Sequence, residues 1–596
     1  MIKNRDEIEL QYTWDLTRMY ESDEAFETAL ENTKNSIPAI AEYQGKISKS
    51  AESLYAYLKL EDEFSLSLER LMNYAGRKSD QDTRVAKYQN YHGQVISVYV
   101  AAMGASAWAT PELLTLDENT LESFYAAVPE LEVYRRKLSM IMRKREHTLT
   151  PAEEALLASA GEMAQQPGNI YSVFTNSDMT FPDATDSEGA KHPTTQGSYI
   201  PMLYSQDRVL RKSAFEVFYS VYKKYANTCA AVLGAQCKQL KFFADARKYE
   251  NALAAALDEN EIPTEVYHNL LDSVHRNMPA MHKYTALRKK LLGVDELHYY
   301  DLYVPIVGDM DMTFTYEEAC ELILKALQPM GEDYCAAVKH ALESRWIDVY
   351  ENPGKRSGAY SAGGYGITPY ILLNFHGTLN DVFTLIHEMG HSMHTYHSCK
   401  TQPIAYSGYS IFVAEVASTC NEALLMQYLL KTTTDTRKRA YLINYFMEQF
   451  RATLYRQTMF AEFELKLNTL IEQGQSATSE ALCEIYGQLN LDYYGESVVL
   501  DDEIRYEWAR IPHFYYNYYV YQYATGYAAA IALSEKILNE GEEAVRAYLA
   551  FLSGGSSEDP ISLLRKAGVD MATSAPVDAA LSRFDKLVDE LEELMK

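Results

Sequence analysis

The sequence predicts a mainly α-helical fold in more than one lobe, with a small β-sheet beside the helix that carries its chemistry. Three observations predict it. Apolar residues recur at three- and four-residue intervals over long segments such as 51–84 and 204–260, as in amphipathic helices. One segment, Lys355 to Phe375, breaks that period: four glycines lead into an aromatic, β-branched and aliphatic run that reads as a strand. At 596 residues the chain also exceeds the size at which one core keeps growing.

Within the second helical segment, Leu210, Ala214, Val217, Phe218 and Val221 form one apolar stripe, a core face without a functional role. Turn residues gather at Thr180–Pro193 and at Leu302–Asp309. The first suggests a boundary near residue 200, or a hairpin decorating the joint. The expected division is an N-terminal helical region over 1–200 and a catalytic region over 201–596. Pro369 is expected to restrict its strand to a sheet edge or to the strand's entrance. An edge strand presents unpaired backbone groups that an extended peptide can meet. Gly363, Gly364 and Gly366 fit either an ordinary loop or one that closes on substrate.

Hydrophobic residues at 47% and charged residues at 23% are ordinary for a globular chain, and no apolar run reaches the length of a membrane span. The net charge of -28 argues against a nucleic-acid partner, which requires clustered Lys and Arg. The first ten residues, MIKNRDEIEL, are charged throughout and contain no export signal. Seven scattered cysteines without a CxxC pair form neither a disulfide framework nor a cysteine metal site. A cytoplasmic location away from membranes is therefore expected.

The chemistry centres on TLIHEMGHSMHTYHS, residues 384–398, which holds four of the chain's 14 histidines. A helix turns about 100° per residue, so His387 and His391 share a face about 40° apart and can grip one ion. Glu388 stands beside the first, where its carboxylate can take a proton from a water. Zinc, one ion per chain, suits such a pair and lowers the pKa of water. In a chain with this histidine content, HExxH arises by chance only about 0.03 times. Asp381 and the apolar spacing behind it place the motif on a buried helix.

A catalytic zinc takes a third protein ligand. His397 has the spacing of HExxHxxGxxH, but His394 stands where the turning glycine belongs. On a continuing helix His397 points about 80° away and about 15 Å along the axis. The other candidate is Glu415, set among Phe412, Val413, Ala414, Val416 and Ala417, where a carboxylate is costly unless it meets a cation. Glu422, seven residues on and on the same face, suits a hydrogen bond to the outer nitrogen of a ligand histidine. His394 is a neighbour of the pair and not a ligand.

HEMGH at 387–391, with FVAEVASTCNE ending at Glu422, resembles oligoendopeptidase F of the thimet-type zinc oligopeptidases. GKRSGAY from Gly354, LLNFHG from Leu372, WDLT from Trp14 and the overall length extend the likeness over most of the chain. The resemblance implies two helical lobes enclosing a substrate channel, with zinc at its floor and short oligopeptides as substrates. It implies His387, His391 and Glu415 as zinc ligands and Glu388 as general base. It also implies a histidine and tyrosines on a C-terminal helix facing the zinc and stabilising the oxyanion. Residues 510–527, with seven tyrosines in eighteen positions, supply His513 as that histidine. Tyr519 and Tyr527 are the expected tyrosines, with Tyr516 and Tyr523 as alternatives. An exopeptidase would instead need a basic residue for the substrate's terminal carboxylate, for which Arg505 and Arg510 are the candidates. A non-catalytic peptide-binding scaffold is the remaining alternative.

Overall fold

The computed structural model describes residues 2–308, 310 and 312–596. Helix accounts for 71% of the chain and the sheets are small, so the fold is mainly α as expected. The chain forms two compact units: Met1–Thr148, Met312–Leu425 and Leu533–Val569 make the first, and Leu149–Asp311, Met426–Ala532 and Asp570–Lys596 the second. These units interleave along the sequence and do not divide near residue 200. The break at 180–193 is a two-stranded hairpin inside the second unit, pairing Ala184 with His192 and Thr185 with Lys191. It is held to the long helix Arg208–Ala246 by the Thr185 N–H, which donates to Ser213 Oγ at 2.9 Å. The break at 302–309 follows a short helical turn, and its last residue lies outside the described residues.

In the first unit, helix Ala51–Gln81 starts at Ser50, whose hydroxyl accepts from the Ser53 N–H. Its inner face supports a three-stranded sheet in which Ile367–Leu372 is the central strand. Ile347–Asp348 pairs with it in parallel and Tyr360–Gly364 in antiparallel. The edge strand is thus the glycine-rich one, and Pro369 stands near the entrance of the central strand, the second of its two expected positions. Proline is tolerated there because pairing to Ile347 begins only at Ile371, while on the other side the register slips between Ala362 and Gly364. Gly363 fits against this bulge: a Cβ there would lie 3.0 Å from Pro369 Cα. Gly366, at φ +69°, makes the hairpin turn.

Three anchors fix the sheet. Trp14 packs edge-on against Tyr370, whose hydroxyl donates to Asp15 O at 2.6 Å. The fully buried Lys355 ammonium bonds Asp348 Oδ1 at 2.8 Å and Tyr350 O at 2.7 Å. On the helix Ala51–Gln81, Asp80 accepts the Tyr360 hydroxyl at 2.6 Å and Glu69 accepts the Tyr365 N–H at 3.1 Å.

The motif helix, Leu379–Thr401, follows the central strand directly. Thr378 and Asp381 cap its start reciprocally, the Asp381 N–H reaching Thr378 Oγ1 at 3.2 Å and the Thr378 N–H reaching Asp381 Oδ2 at 2.8 Å. Val382, Phe383, Leu385, Ile386, Met389 and Met393 are buried, as the apolar spacing predicts. A second helix, Ile411–Thr432, crosses it at van der Waals contact. A Cβ on Gly390 would fall 2.5 Å from Ser418 Cα and 2.7 Å from Ala417 O, so only glycine permits this approach.

In the second unit, the stripe of helix Arg208–Ala246 is buried at Leu210, Ala214, Phe218 and Val221, with Val217 half-buried. Buried charges are paired: Glu507, fully enclosed, accepts from Arg456 Nη2 at 2.7 Å, Arg510 Nη2 at 2.8 Å and the Tyr486 hydroxyl at 2.6 Å. Glu464, on helix Arg456–Glu472, differs. Burial pushes its carboxyl up to about 8, countered only by the backbone N–H of Tyr518.

Two outcomes follow from these contacts. Gly390→Ala should lower stability by about 1–3 kcal/mol in denaturant unfolding, because the clash is with backbone and cannot be relieved by a rotamer change. Glu464 holds its proton more tightly in the folded than in the unfolded chain, so it favours folding most below the ordinary Glu range and progressively less as pH rises towards about 8. Glu464→Gln should therefore raise the thermal midpoint, by a margin that grows from pH 5 to 8 and then levels off.

Candidate metal centre

The helix crossing at Gly390 brings the motif helix and its neighbour together through short side chains. Glu415 and Glu422 lie one turn before and one turn after Ser418, so both project towards the motif helix. Glu415 Oε2 stands 3.3 Å from His387 Nε2 and 3.5 Å from His391 Nε2. The two imidazole centroids are 4.9 Å apart with planes at 83°. Donor atoms of His387, His391 and Glu415 all lie within 4.8 Å of one another, the only such group of three metal-ligating side chains among the described residues. Ser418 Oγ donates to Glu415 Oε2 at 3.1 Å and orients that carboxylate.

On its outer side, His387 Nδ1 lies 2.6 Å from Glu422 Oε1, which leaves Nε2 facing Glu415. Asn421 Nδ2 also reaches Ile386 O at 3.4 Å, and its Oδ1 accepts the Tyr334 hydroxyl at 3.0 Å. These bonds fix the angle between the helices.

The electrostatics call for a cation. Burial pushes His387 down, but its bonds to Glu415 and Glu422 outweigh that and hold it up at about 10. Burial pushes Glu415 up, and the two histidines more than reverse this, holding it well below the usual carboxylate range. With Glu388, three carboxylates surround two imidazoles. Two nitrogens and one oxygen are a donor set for zinc or another borderline divalent ion. Glu388 itself is 7% exposed, and burial raises its carboxyl above the ordinary range while the neighbouring histidines and the Ser361 backbone pull it back. Ser361 belongs to the edge strand, and its hydroxyl meets Ser392 Oγ at 2.8 Å, tying that strand to the motif helix.

The other two histidines of the motif are core groups. His394 is buried and stacked on Tyr409 at 3.6 Å and 6°, and burial lowers it to about 3. His397 lies parallel to Tyr334 at 6.1 Å, and burial lowers it to about 4. The helix runs unbroken to Thr401, so no turn returns His397 towards the pair.

His513, Tyr519 and Tyr527 belong to the second unit. His513 lies in a short 3-10 turn, Pro512–Tyr515, and the helix begins only at Tyr521, so the expected single helix over 510–527 is not formed. Around His513 stand the rings of Tyr516, Tyr519 and Tyr523, at centroid distances of 5.5, 6.3 and 6.2 Å. Tyr527 is buried edge-on against Phe450 and is not part of that group. Burial lowers His513 below its ordinary range, favouring the neutral imidazole. Arg510 is committed to Glu507 and to the Tyr219 hydroxyl at 3.1 Å, which removes it as a holder of a substrate carboxylate. Arg505 packs over Gly487, where a Cβ would lie 2.5 Å from its Nη1.

A sequence model of peptidase family M3 matches residues 201–583, and one described as oligopeptidase F matches residues 112–181. The chain belongs to peptidase family M3. This M3 chain is accordingly a metallopeptidase, a hydrolase of peptide bonds. Oligopeptidase PepF of Bacillus subtilis is 47% identical to it over 594 residues, spanning 100% of this chain and 89% of that protein. Group B oligopeptidase PepB of Streptococcus agalactiae is 41% identical, over 100% and 99% of the two chains. Among solved structures, oligoendopeptidase-F from Enterococcus faecium superposes with a TM-score of 0.75 at 38% identity, over 96% of this chain and 99% of that one. No helix among the described residues is long and apolar enough to cross a membrane, and all seven cysteines are free.

Sequence reasoning missed Gly390, Ser418 and Ser361. The signal for the first was a glycine within a helix between two metal-ligand positions, which is costly unless a backbone approaches. Metal titration should separate the two candidate third ligands: Glu415→Ala should lose zinc affinity by orders of magnitude, whereas His397→Ala should retain it. Glu422→Gln should weaken zinc by about 10- to 100-fold.

Proposed function

We propose that this M3 peptidase is a zinc oligoendopeptidase cleaving internal bonds of short peptides, with His387, His391 and Glu415 as zinc ligands and Glu388 as general base. The supporting observation is the convergence of His387 Nε2, His391 Nε2 and Glu415 Oε2 beside a buried, proton-accepting Glu388. The 47% and 38% identical relatives, named oligopeptidase and oligoendopeptidase, point to the same substrate class.

When bound, zinc supplies Lewis acidity that makes a water acidic near neutral pH and polarises the peptide carbonyl. Glu388 takes the proton of the attacking water as its oxygen bonds to the carbonyl carbon. It then delivers that proton to the amine nitrogen as the C–N bond breaks. The raised affinity of Glu388 for a proton suits it to both steps. Glu422 keeps His387 in one tautomer and one orientation throughout. An extended peptide lies along the edge strand Tyr360–Gly364, next to the motif helix, with backbone pairing rather than side-chain fit setting its direction. His513, as a neutral imidazole, and the hydroxyl of Tyr519, the expected tyrosine that stands with it, are the proposed oxyanion donors; Tyr527, packed on Phe450, is not among them.

Substrates of this kind are peptides without a required free terminus, in keeping with the commitment of Arg510 to Glu507. An internally quenched peptide blocked at both ends should be cut by the zinc-loaded protein. Glu388→Gln should keep its zinc and lose kcat by several orders of magnitude. A wild-type protein that leaves the doubly blocked peptide intact would refute the endopeptidase assignment, and one that takes up no zinc would refute the metal centre.

A further inference from the structure

His513 and Tyr519 are separated by a piece of chain that cannot hold itself. Between the turn Pro512–Tyr515 and the helix starting at Tyr521, Asn517 and Tyr518 both adopt φ 54°, in the left-handed region. Asparagine tolerates that region, but a bulky residue following it there carries a cost of about 1–2 kcal/mol. Two such residues in succession persist only where surrounding structure overrides the cost.

The override comes from Glu464. The Tyr518 N–H donates to Glu464 Oε1 at 2.6 Å, and both residues are 2% exposed. The Tyr518 ring meets Tyr267 edge-on at 5.7 Å, and Gln236 Nε2 donates to Tyr515 O at 3.3 Å. The titratable groups facing Glu464 are Tyr267, Tyr518 and Cys237, none of them a cation. Glu507, by contrast, has two arginines. A carboxyl in such a position is costly compared with leucine unless its acceptor oxygen is needed. Near neutral pH it is an uncharged acid whose Oε1 accepts one backbone N–H, which glutamine can imitate.

We propose that Glu464 is a positioning residue for the oxyanion donors: by accepting the Tyr518 N–H it fixes the left-handed pair Asn517–Tyr518 and so sets the Tyr519 ring parallel to His513, at 6.3 Å and 12°. This rests on the reading of His513 and Tyr519 given above. Glu464 does not touch substrate; it acts through the turn.

The test measures kcat, KM and amide hydrogen exchange over residues 512–520 in the zinc-loaded protein. Glu464→Leu should speed exchange in that segment and lower kcat about 10- to 100-fold while KM stays within about threefold, the mark of a donor misplaced for the transition state. Glu464→Gln should restore both. Because Glu464→Leu can unsettle the core, the exposed Asn517 provides a second route: Asn517→Val, which resists positive φ, should reproduce the kcat loss, and Asn517→Gly should not. Unchanged exchange in Glu464→Leu would overturn the proposal. It would also be overturned if His513→Gln lowered kcat while Glu464→Leu and Asn517→Val did not. Wild-type kcat in His513→Gln and Tyr519→Phe would instead defeat the oxyanion reading, leaving the exchange data to judge the turn on its own.

Discussion

The metal centre depends on one steric fact, the backbone contact between Gly390 and Ser418. Helices ordinarily pack with axes 8–10 Å apart, a spacing set by the side chains between them. With a glycine on one helix and a serine and alanine on the other, the interval closes, and a carboxylate as short as Glu415 can approach two imidazoles of the opposite helix at once. The same contact lets Glu422 span to the far nitrogen of His387. A single methyl group at residue 390 would separate all three interactions together.

Around that contact the charges are arranged so that each group depends on another. Glu415 stays ionised despite burial because His387 and His391 face it, and His387 is held by carboxylates on both of its nitrogens. A divalent cation between the two imidazoles would take the place of the proton that His387 otherwise holds, and with three carboxylates around it would leave no excess positive charge. Glu388, which the ligands adjoin without engaging, keeps a raised proton affinity from its burial. The sheet contributes through Ser361, which links the edge strand to both the motif helix and the base. The edge strand, Glu388 and the three candidate ligands thereby lie in one part of the first unit.

Much of this was legible in the sequence because helical periodicity fixes directions. The four-residue step from His387 to His391 and the seven-residue step from Glu415 to Glu422 specify faces before any tertiary contact is known. The same geometry disfavoured His397, and the unbroken helix to Thr401 shows why. What could not be read were features set by contacts between distant segments. Pro369 left open a sheet edge or a strand entrance, and only the bulge opposite Gly363 and the late start of the Ile347 pairing put it at the entrance of a central strand. The tyrosine-rich segment suggested one helix, yet the left-handed pair at Asn517 and Tyr518, anchored by a carboxyl 54 residues earlier, bends it. The units interleave because strands and helices far apart in sequence share a core, which no local composition shift records.

The most direct test of the central claim is anomalous diffraction at the zinc edge from crystals of the zinc-loaded protein. The account predicts one dominant peak, about 2.0–2.2 Å from His387 Nε2, His391 Nε2 and a Glu415 oxygen, with the fourth position open to solvent. A peak coordinated by His394 or His397 in place of Glu415, or no peak between the two crossing helices, would contradict it.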